Sequence, residues 1–277
     1  MSTQAVLFDA PGPKARFRHL SLTGVGALIV LAIAFVVYTK FEEAGQLKAS
    51  MWTPFLTDSA VWTSYLIPGL KGTFTAAGIS IVLAVIFGLL FGMGRLSTIG
   101  PVRWVCSVVV EFFRAVPVLL MMVFAYFGFF ATSNVVPNVH APLAAVVTAL
   151  TLYNGAVIAE LVRSGVHGLP KGQAEAGLAV GLTPGQVLRS IQLPQALTAM
   201  LPALVGQLVV VLKDSALGYG ITYLELLTWS KTLGSAYANT VPAYIVAGIL
   251  FVVINYSLSK LAVYLEGRMK NKRRAKG

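Results

Sequence analysis

The sequence predicts an all-α protein that crosses a membrane several times. Of its 277 residues, 57% are hydrophobic and 11% are charged, and the mean hydropathy is +0.79. Charged side chains are therefore too few to cover a soluble domain of this length. Uncharged apolar runs are long enough to cross a bilayer as helices. Runs such as 79–87 lack the period-two alternation of transmembrane strands, so helices are expected.

Six apolar runs can be counted along the chain. They cover Leu22–Tyr38, Gly72–Gly94, Ala115–Val135, Leu143–Ala159, Leu197–Ile221 and Tyr244–Val263. Only the fifth run carries charges at its middle, at Lys213 and Asp214. The first run begins too late and is too long for a secretory signal peptide, and no cleavage-type sequence follows it. We expect it to remain as a membrane span.

Basic residues orient the chain, because lysine and arginine accumulate in short cytoplasmic loops. With the N-terminus inside, the inner segments hold the larger share, namely Lys14, Arg16, Arg18, Arg95, Arg103, Arg163, Lys171, Arg189 and the basic tail. The outer segments hold Lys40, Lys48, Lys71 and Lys231, offset by acidic residues. Both termini are therefore predicted to be cytoplasmic.

This orientation divides the chain into five parts. The predicted order is an N-terminal cytoplasmic tail, an additional first transmembrane helix, an extracytoplasmic connection, a core of five transmembrane helices and a basic cytoplasmic tail, at 1–21, 22–39, 40–70, 71–265 and 266–277. The longest cytoplasmic loop of the core is 171–194.

Several functions are disfavoured by the sequence. The net charge of +11 is spread over separate loops and the tail, which fits attraction to lipid headgroups better than nucleic-acid binding. One cysteine, Cys106, and three scattered histidines give no disulfide framework and no expected metal site. No G-x-x-x-x-G-K-[ST] loop is present, so ATP and Mg are expected on another chain. The hydrolase motifs H-E-x-x-H and G-x-S-x-G are also absent.

The loop 171–194 is predicted to fold as helix, turn and helix. Gln173–Val180 contains good helix formers, Gly181 can take a left-handed C-terminal cap, and Thr183–Pro184 gives an N-cap followed by proline. Four apolar residues are expected to pack and two polar ones to face water, namely Leu178, Leu182, Val187 and Ile191, and Arg189 and Gln192. Such a rigid element can convert closure of a soluble motor into helix tilting.

A spaced motif runs through this loop. Glu175-Ala176-Gly177 is followed by Gly181 after three residues and by Ile191-x-Leu193-Pro194 after nine more. The pattern resembles the EAA loop of permease subunits of binding-protein-dependent ABC importers, with Gly177 in place of the usual second alanine. The resemblance implies a type I importer (MetI-like) fold and a coupling helix that docks on the ATPase. The implied coupling residues are Glu175, Ala176, Gly177, Gly181, Leu182, Leu193 and Pro194.

Two further segments narrow the family. Glu111-Phe-Phe-Arg-Ala-Val-Pro117 is similar to the E-x-x-R-G-T-P stretch of polar-amino-acid permeases, with Ala115 and Val116 for glycine and threonine. Lys213-Asp-Ser-Ala-Leu217, with Glu225-Leu226 beyond it, resembles their K-D-T/S-S-L…E-L stretch. These matches cover the chain from about Gly72 onward. The N-terminal stretch 7–14 is similar to actinobacterial glutamate-importer permeases and ranks glutamate first among substrates.

Lys213, Asp214 and Ser215 are candidates for the substrate path. An ionisable group within a span costs about 2.5–3.5 kcal/mol and usually faces a cavity or a partner. Adjacent residues on a helix cannot face each other, so at least one of the two charges is free to line the path. Alternatively, each is satisfied by another helix, or Lys213 reaches the membrane surface.

Three residues at the inner end of the third span are further path candidates. Glu111 and Arg114 have i, i+3 spacing and form either a structural ion pair or a gate, while Pro117 bends the helix or marks its start. Glu160 and Arg163 have the same spacing and are expected to be structural. Asn154, at the middle of the fourth run, is expected to hydrogen-bond across the helix bundle rather than to contact a ligand.

The resemblance implies a permease subunit of an ATP-driven amino-acid importer in the bacterial inner membrane, without catalytic residues of its own. The implied partners are an ABC ATPase dimer that carries ATP and Mg, a second permease subunit, an extracytoplasmic amino-acid-binding protein and membrane lipid. A heterodimer of permeases is favoured, and a homodimer is open. The alternatives are an ion-coupled secondary transporter, which would usually show inverted repeats, and a non-transporting scaffold subunit.

Overall fold

The computed structural model describes residues 12–133 and 135–274, with side chains up to 264 except at 262. The chain divides into two units, Met1–Leu56 and Thr57–Gly277. Within the described residues all regular structure is helical. The α-helices are α1 Pro13–Glu43, α2 Ala49–Trp52, α3 Pro54–Thr57, α4 Ile67–Arg95, α5 Gly100–Ala115, α6 Val118–Ala125, α7 Ala141–His167, α8 Lys171–Ala179, α9 Pro184–Val187, α10 Leu193–Ala199, α11 Leu201–Asp214, α12 Leu226–Ala236 and α13 Thr240–Arg274.

Helix α1 forms most of the first unit. It begins at Pro13 rather than at the predicted Leu22, because proline suits the first helical position and Gly12 precedes it in an extended conformation. None of its residues is buried. The helix is apolar on all sides through its centre, as expected of a span that faces lipid. Residues 7–11, which carry most of the N-terminal resemblance, lie outside the described part of the chain.

The packing of α4 against α7 dominates the second unit. Gly88 lies against Ile158 and Gly155, and Gly92 lies against Val162 and Ala159. The contacts advance in the same direction along both helices, so the two helices run parallel. Residues without side chains allow this close approach, as the small-residue face at Gly88 and Gly92 predicts. Around it lie buried Ala84, Ile158 and Val162.

The third predicted span begins at a sharp bend in the chain. Its helical part is α6 with the π turn Tyr126–Phe130, and α5 precedes it at an angle of 98°. Pro117 starts α6, where its missing N–H costs no helical hydrogen bond. Because α6 has only eight residues and a five-residue π turn after it, the described chain has five candidate spans, or six if the bent pair counts as one. Within the predicted run Ala115–Val135, helical structure begins after Pro117, as one of the two predicted roles of this proline requires, and ends at Phe130.

The predicted second, fifth and sixth spans also differ from the structure. The second is longer, because a π turn at Val61–Leu66 leads directly into α4 and places Lys71 within a helix. In the fifth, α11 ends at Asp214 and a 3₁₀ helix, Ser215–Ile221, follows. Lys213 and Asp214 thus lie at a helix end and not at mid-helix. The sixth continues to Arg274 as α13, and the side chains of the basic tail lie beyond those described.

Helix α12 was missed by the sequence analysis. Its N-cap is Glu225, whose buried carboxylate accepts hydrogen bonds from the backbone N–H groups of Leu227 and Thr228 at 2.7 Å and from the Thr228 hydroxyl at 2.8 Å. The side chain of Thr73 accepts the N–H of Leu226, which ties α12 to α4. Glu225 of the K-D…E-L resemblance therefore has a structural role in the cap.

We predict that Gly88→Ala destabilises the α4–α7 contact. An added Cβ would lie 2.4 Å from Cγ2 of Ile158 and 3.0 Å from the Gly155 carbonyl oxygen. Overpacking of this kind costs about 1–3 kcal/mol. Gly78→Ala is the matched control on the same helix, since nothing lies within 4 Å of its added Cβ. Thermal unfolding in detergent should show a lower midpoint for Gly88→Ala alone, and equal midpoints would contradict the packing described.

Asp58 and Tyr237 link the start of the second unit to the end of α12. The Tyr237 hydroxyl donates to Oδ2 of Asp58 at 2.6 Å. This bond and a second from the Ala60 N–H lower the pKa of Asp58, and the bond to Asp58 raises the pKa of Tyr237 to about 12. Because the pKa of Asp58 is lower in the folded protein than in the unfolded chain, its carboxylate stabilises the fold fully at pH values above the unfolded-state pKa. This stabilisation is lost as the pH falls through the lower folded-state pKa.

The variant Tyr237→Phe should therefore lose part of its pH dependence of stability. Between about pH 7 and pH 3, its unfolding midpoint should fall less than that of the parent protein, because the parent alone loses this bond on acidification. Tyr38→Phe is the control, since Tyr38 is exposed on α1. A Tyr237→Phe midpoint that falls as steeply as the control's would disprove the contribution of the bond.

Candidate coupling and translocation site

The EAA loop, 171–194, has the turn that its sequence predicts. Helix α8 ends in a Schellman-type cap: Gly181 has φ +88°, its N–H bonds to the Leu178 carbonyl at 3.0 Å, and the Leu182 N–H bonds to the Gly177 carbonyl at 3.2 Å. Thr183 then caps α9 in a reciprocal arrangement with Gln186. Both ends of the turn are thus fixed by local hydrogen bonds.

Close packing holds the two halves of this loop together. An added Cβ on Gly177 would lie 2.8 Å from Cδ1 of Ile191 and 2.9 Å from Cγ2 of Val187. This proximity explains why glycine stands in place of the usual alanine. A hydrogen bond of 3.1 Å between Gln195 and Gln173 further ties α10 to α8. Helix α9, a π turn and α10 follow without interruption, so the second helix of the loop is longer than predicted.

The exposed face of the loop is partly apolar. Val187 is buried and Leu182 and Ile191 are half-buried, as predicted, and Arg189 is exposed. The expectation for Leu178 was wrong, because its side chain is 49% exposed, and the neighbouring Val180 is 77% exposed. Gln192, expected to face water, is half-buried. Apolar side chains exposed on a rigid turn are typical of a docking surface.

The remaining EAA residues lie at the edge of this surface. Glu175 and Ala176 are exposed on α8, Leu193 is half-buried at the start of α10, and Pro194 is exposed. Glu175 borders a cavity of about 500 Å³, whose lining also includes His167 and Lys171. A second cavity of about 430 Å³ separates α9 from the turn after α4. The loop therefore stands clear of the helices on two sides.

Five charged residues form one network at the end of the helices nearest this loop. Arg95 Nη1 lies 2.6 Å from Glu160 Oε2, and Arg95 Nη2 lies 2.8 Å from Glu111 Oε1. Arg163 pairs with Glu160 at 2.6 Å. Arg114 lies 3.5 Å from both Glu111 and Glu160, so the predicted Glu111–Arg114 pair exists but is the looser contact of Glu111.

The candidate path residues near the end of α11 have different surroundings. Lys213 is exposed, Asp214 is half-buried and Ser215 is buried, with its hydroxyl donating to the Leu212 carbonyl at 2.6 Å. Among the described residues, the side chain of Lys213 has no hydrogen bond or ion pair. The two side chains thus differ in exposure, and the prediction that they face different partners stays a prediction. Among the described residues, Lys213 forms no hydrogen bond or ion pair with the other path candidates, Glu111 and Arg114.

Asn154 has the partner that its position predicts. Its Oδ1 accepts from Nε2 of Gln207 at 2.6 Å, and its Nδ2 donates to the Leu150 carbonyl at 3.0 Å. The bond joins α7 to α11 inside the bundle. Gln207 was not among the predicted contacts, although a polar residue inside an apolar run is a usable signal. In the part of the chain that the structure describes, no group of histidine, cysteine and acidic residues could hold a metal ion.

Comparison with known proteins agrees with this architecture. A family model described as a binding-protein-dependent transport system inner membrane component matches residues 80–271. The glutamate transport system permease protein of Corynebacterium glutamicum is 48% identical over 226 residues, 82% of each chain. A probable glutamine ABC transporter permease protein of Bacillus subtilis is 34% identical over 214 residues, 75% of this chain and 93% of that one.

Solved structures give the same result. A crystal structure of an amino acid ABC transporter with histidines superposes with a TM-score of 0.68 at 28% identity, over 75% of this chain and 95% of that one. An inward-facing methionine ABC transporter has a TM-score of 0.63 at 22% identity and supports the fold alone, over 77% and 99% of the two chains.

These findings define a polytopic transport protein of the bacterial inner membrane. The chain belongs to the family of binding-protein-dependent transport system inner membrane components. It has the MetI-like fold and is a permease subunit of an amino-acid ABC importer, in which a separate chain hydrolyses ATP. The EAA motif and coupling helix are typical of this family.

We predict that Gly181→Ala weakens docking of the EAA loop on its ATPase. A non-glycine residue at φ +88° costs about 1–2 kcal/mol, enough to disorder the turn. Association measured with the purified ATPase should weaken by about fivefold or more. Gly185→Ala is the control, because it lies in α9 with open space around it and no positive φ. If both variants bind the ATPase equally well, the turn does not determine docking.

Proposed function

We propose that this chain is a permease subunit of an ATP-driven glutamate importer. The observation that carries the proposal is its 48% identity, over most of both chains, to a glutamate transport system permease protein. In this assembly the chain pairs with a second permease subunit, most simply as a heterodimer. An ATPase dimer binds ATP and Mg on the cytoplasmic side, and an extracytoplasmic binding protein delivers the amino acid.

The EAA loop is the proposed docking element for the ATPase. Its Schellman-type cap, reciprocal N-cap and Gly177 contact make it rigid, and exposed Leu178 and Val180 offer an apolar surface beside Glu175. It is joined without a long linker to α7 on one side and to α11, through α10, on the other. ATPase closure can therefore tilt both spans as alternating access requires.

Lys213 is the proposed contact for the anionic substrate. It is an exposed cation at the end of α11, without a described partner, where an ionisable group is costly unless it faces water or a ligand. The α-helix ends at the next residue and a 3₁₀ helix follows, so the regular α-helix of the fifth span is interrupted beside Lys213. Asp214 and Ser215 are proposed to shape this break, while Glu111, Arg114 and Pro117 act at the bend of the third span.

Reconstitution tests the proposal. Proteoliposomes with both permeases, the ATPase and the binding protein should take up glutamate only when ATP is present. Excess glutamate should compete with labelled glutamate more strongly than arginine does. Uptake that persists without the ATPase would favour an ion-coupled secondary transporter, and an assembly that hydrolyses ATP without importing any amino acid would favour a scaffold.

The variant Lys213→Met should lower glutamate uptake by about tenfold or more, because a charge-assisted contact contributes about 1.5–3 kcal/mol. Lys71→Met is the matched control, since Lys71 is an exposed lysine near the beginning of α4. Initial uptake rates over a range of glutamate concentrations provide the measurement. A Lys213→Met rate equal to that of Lys71→Met would remove Lys213 from the substrate path.

A further inference from the structure

Arg95 joins three helices through its two terminal nitrogen atoms. It is the last residue of α4, and its side chain is only 8% exposed. One nitrogen binds Glu160 of α7 at 2.6 Å and the other binds Glu111 of α5 at 2.8 Å. The guanidinium therefore connects α5 to α7 through the end of α4. A lysine offers a single charged centre and could not hold both carboxylates in this planar geometry.

The position of Glu111 gives this connection a mechanical consequence. Glu111 lies in the last turn of α5, directly before the 98° bend that starts α6 at Pro117. Val110 of the same turn is buried against Ala156 and Ala159 of α7, and Phe113 packs beside them. The apolar contact and the ion pair together hold the end of α5, so the bend moves when α7 moves.

Helix α7 also leads into the EAA loop. Its last residue is His167, and α8 begins at Lys171, with only three residues between them. Arg163 binds Glu160 at 2.6 Å, and the carbonyl of Arg163 is bonded to Nδ1 of His167 at 2.8 Å. Displacement of α8 is thereby carried to Glu160 through the final turns of one helix.

We propose that Arg95 is a positioning residue that transmits movement of the EAA loop to the bend between α5 and α6. Closure of the ATPase displaces the loop and α7, and Arg95 carries this displacement through Glu160 and Glu111 to the end of α5. The charge balance supports such a connection: three arginines share two glutamates, so Glu111 has two cationic neighbours and Glu160 has three. The inference rests on the proposed function, because it assigns a residue to the coupling step.

Replacement of Arg95 should separate ATP hydrolysis from transport. In the reconstituted assembly, Arg95→Met should lower ATP-driven amino-acid uptake by about tenfold while basal ATP hydrolysis changes by less than about twofold. Arg103→Met is the matched control, because Arg103 lies on α5 outside the network and its side chain bonds to the Ser97 carbonyl at 3.3 Å. Arg95→Lys should stay closer to Arg95→Met than to the parent, since lysine cannot bridge both carboxylates. Unchanged uptake in Arg95→Met would overturn the proposal.

Glu111→Gln provides a second variant that is expected to fold, because Glu111 is 59% exposed and Arg95 retains Glu160. It leaves a neutral amide contact in place of the charge-assisted link from Arg95 to α5, so uptake should fall in the same direction as in Arg95→Met. Parent-like uptake in Glu111→Gln would overturn the proposal even if Arg95→Met failed to assemble.

A distance measurement separates this inference from the proposed function. Spin labels at exposed Val108 of α5 and exposed Ser190 of the EAA loop, away from Leu178 and Val180, with Cys106 replaced by serine, report whether the two elements move together. The parent assembly should show one narrow distance distribution with and without ATP, and both variants a broader one. Equal widths in parent and variants would overturn the inference. If the parent assembly fails to import glutamate but shows the narrow distribution that both variants broaden, the glutamate assignment is wrong and the proposed role of Arg95 is retained.

Discussion

The close contact between α4 and α7 is the constraint on which the rest of the structure depends. Gly88, Gly92 and Gly155 bring two parallel helices together at distances that a side chain would prevent. In a bilayer, such packing replaces the hydrophobic driving force that water supplies to soluble proteins. Because the two helices are held in fixed register, their ends at Arg95 and Glu160 lie close enough for an ion pair of 2.6 Å.

The fixed register of α4 and α7 also determines where α5 and α11 are attached. Helix α5 packs on the α4–α7 pair through Val110 and Glu111, whereas α6 turns away at Pro117. Helix α11 is joined to α7 by the Asn154–Gln207 hydrogen bond. Seven residues after Gln207, α11 ends at Asp214. The two interrupted spans, third and fifth, therefore have one half held against a rigid pair of helices. Breaks in otherwise regular spans are where transporters place binding and gating groups.

Local sequence signals predicted the structure well wherever the backbone itself decides the conformation. Gly181 and Thr183 specify a cap and an N-cap within a few residues, and both are present as predicted. Hydropathy located the apolar segments but not their interruptions, because an apolar run has the same mean hydropathy whether it is straight or bent. Pro117 was the one signal for the bend, and proline alone does not choose between a kink and a new helix.

Contacts between distant residues could not be predicted in the same way. The i, i+3 spacing of Glu111 and Arg114 indicated a pair, but Glu111 binds Arg95 more closely, across a fold that one sequence does not reveal. Arg95 counted at first only as a charge that orients the chain. At the end of a span such a charge has two possible roles, to face the headgroups or to bind a neighbouring helix. Its 8% exposure and two short carboxylate contacts place it in the second role, which makes a residue first used for topology a part of the mechanical connection.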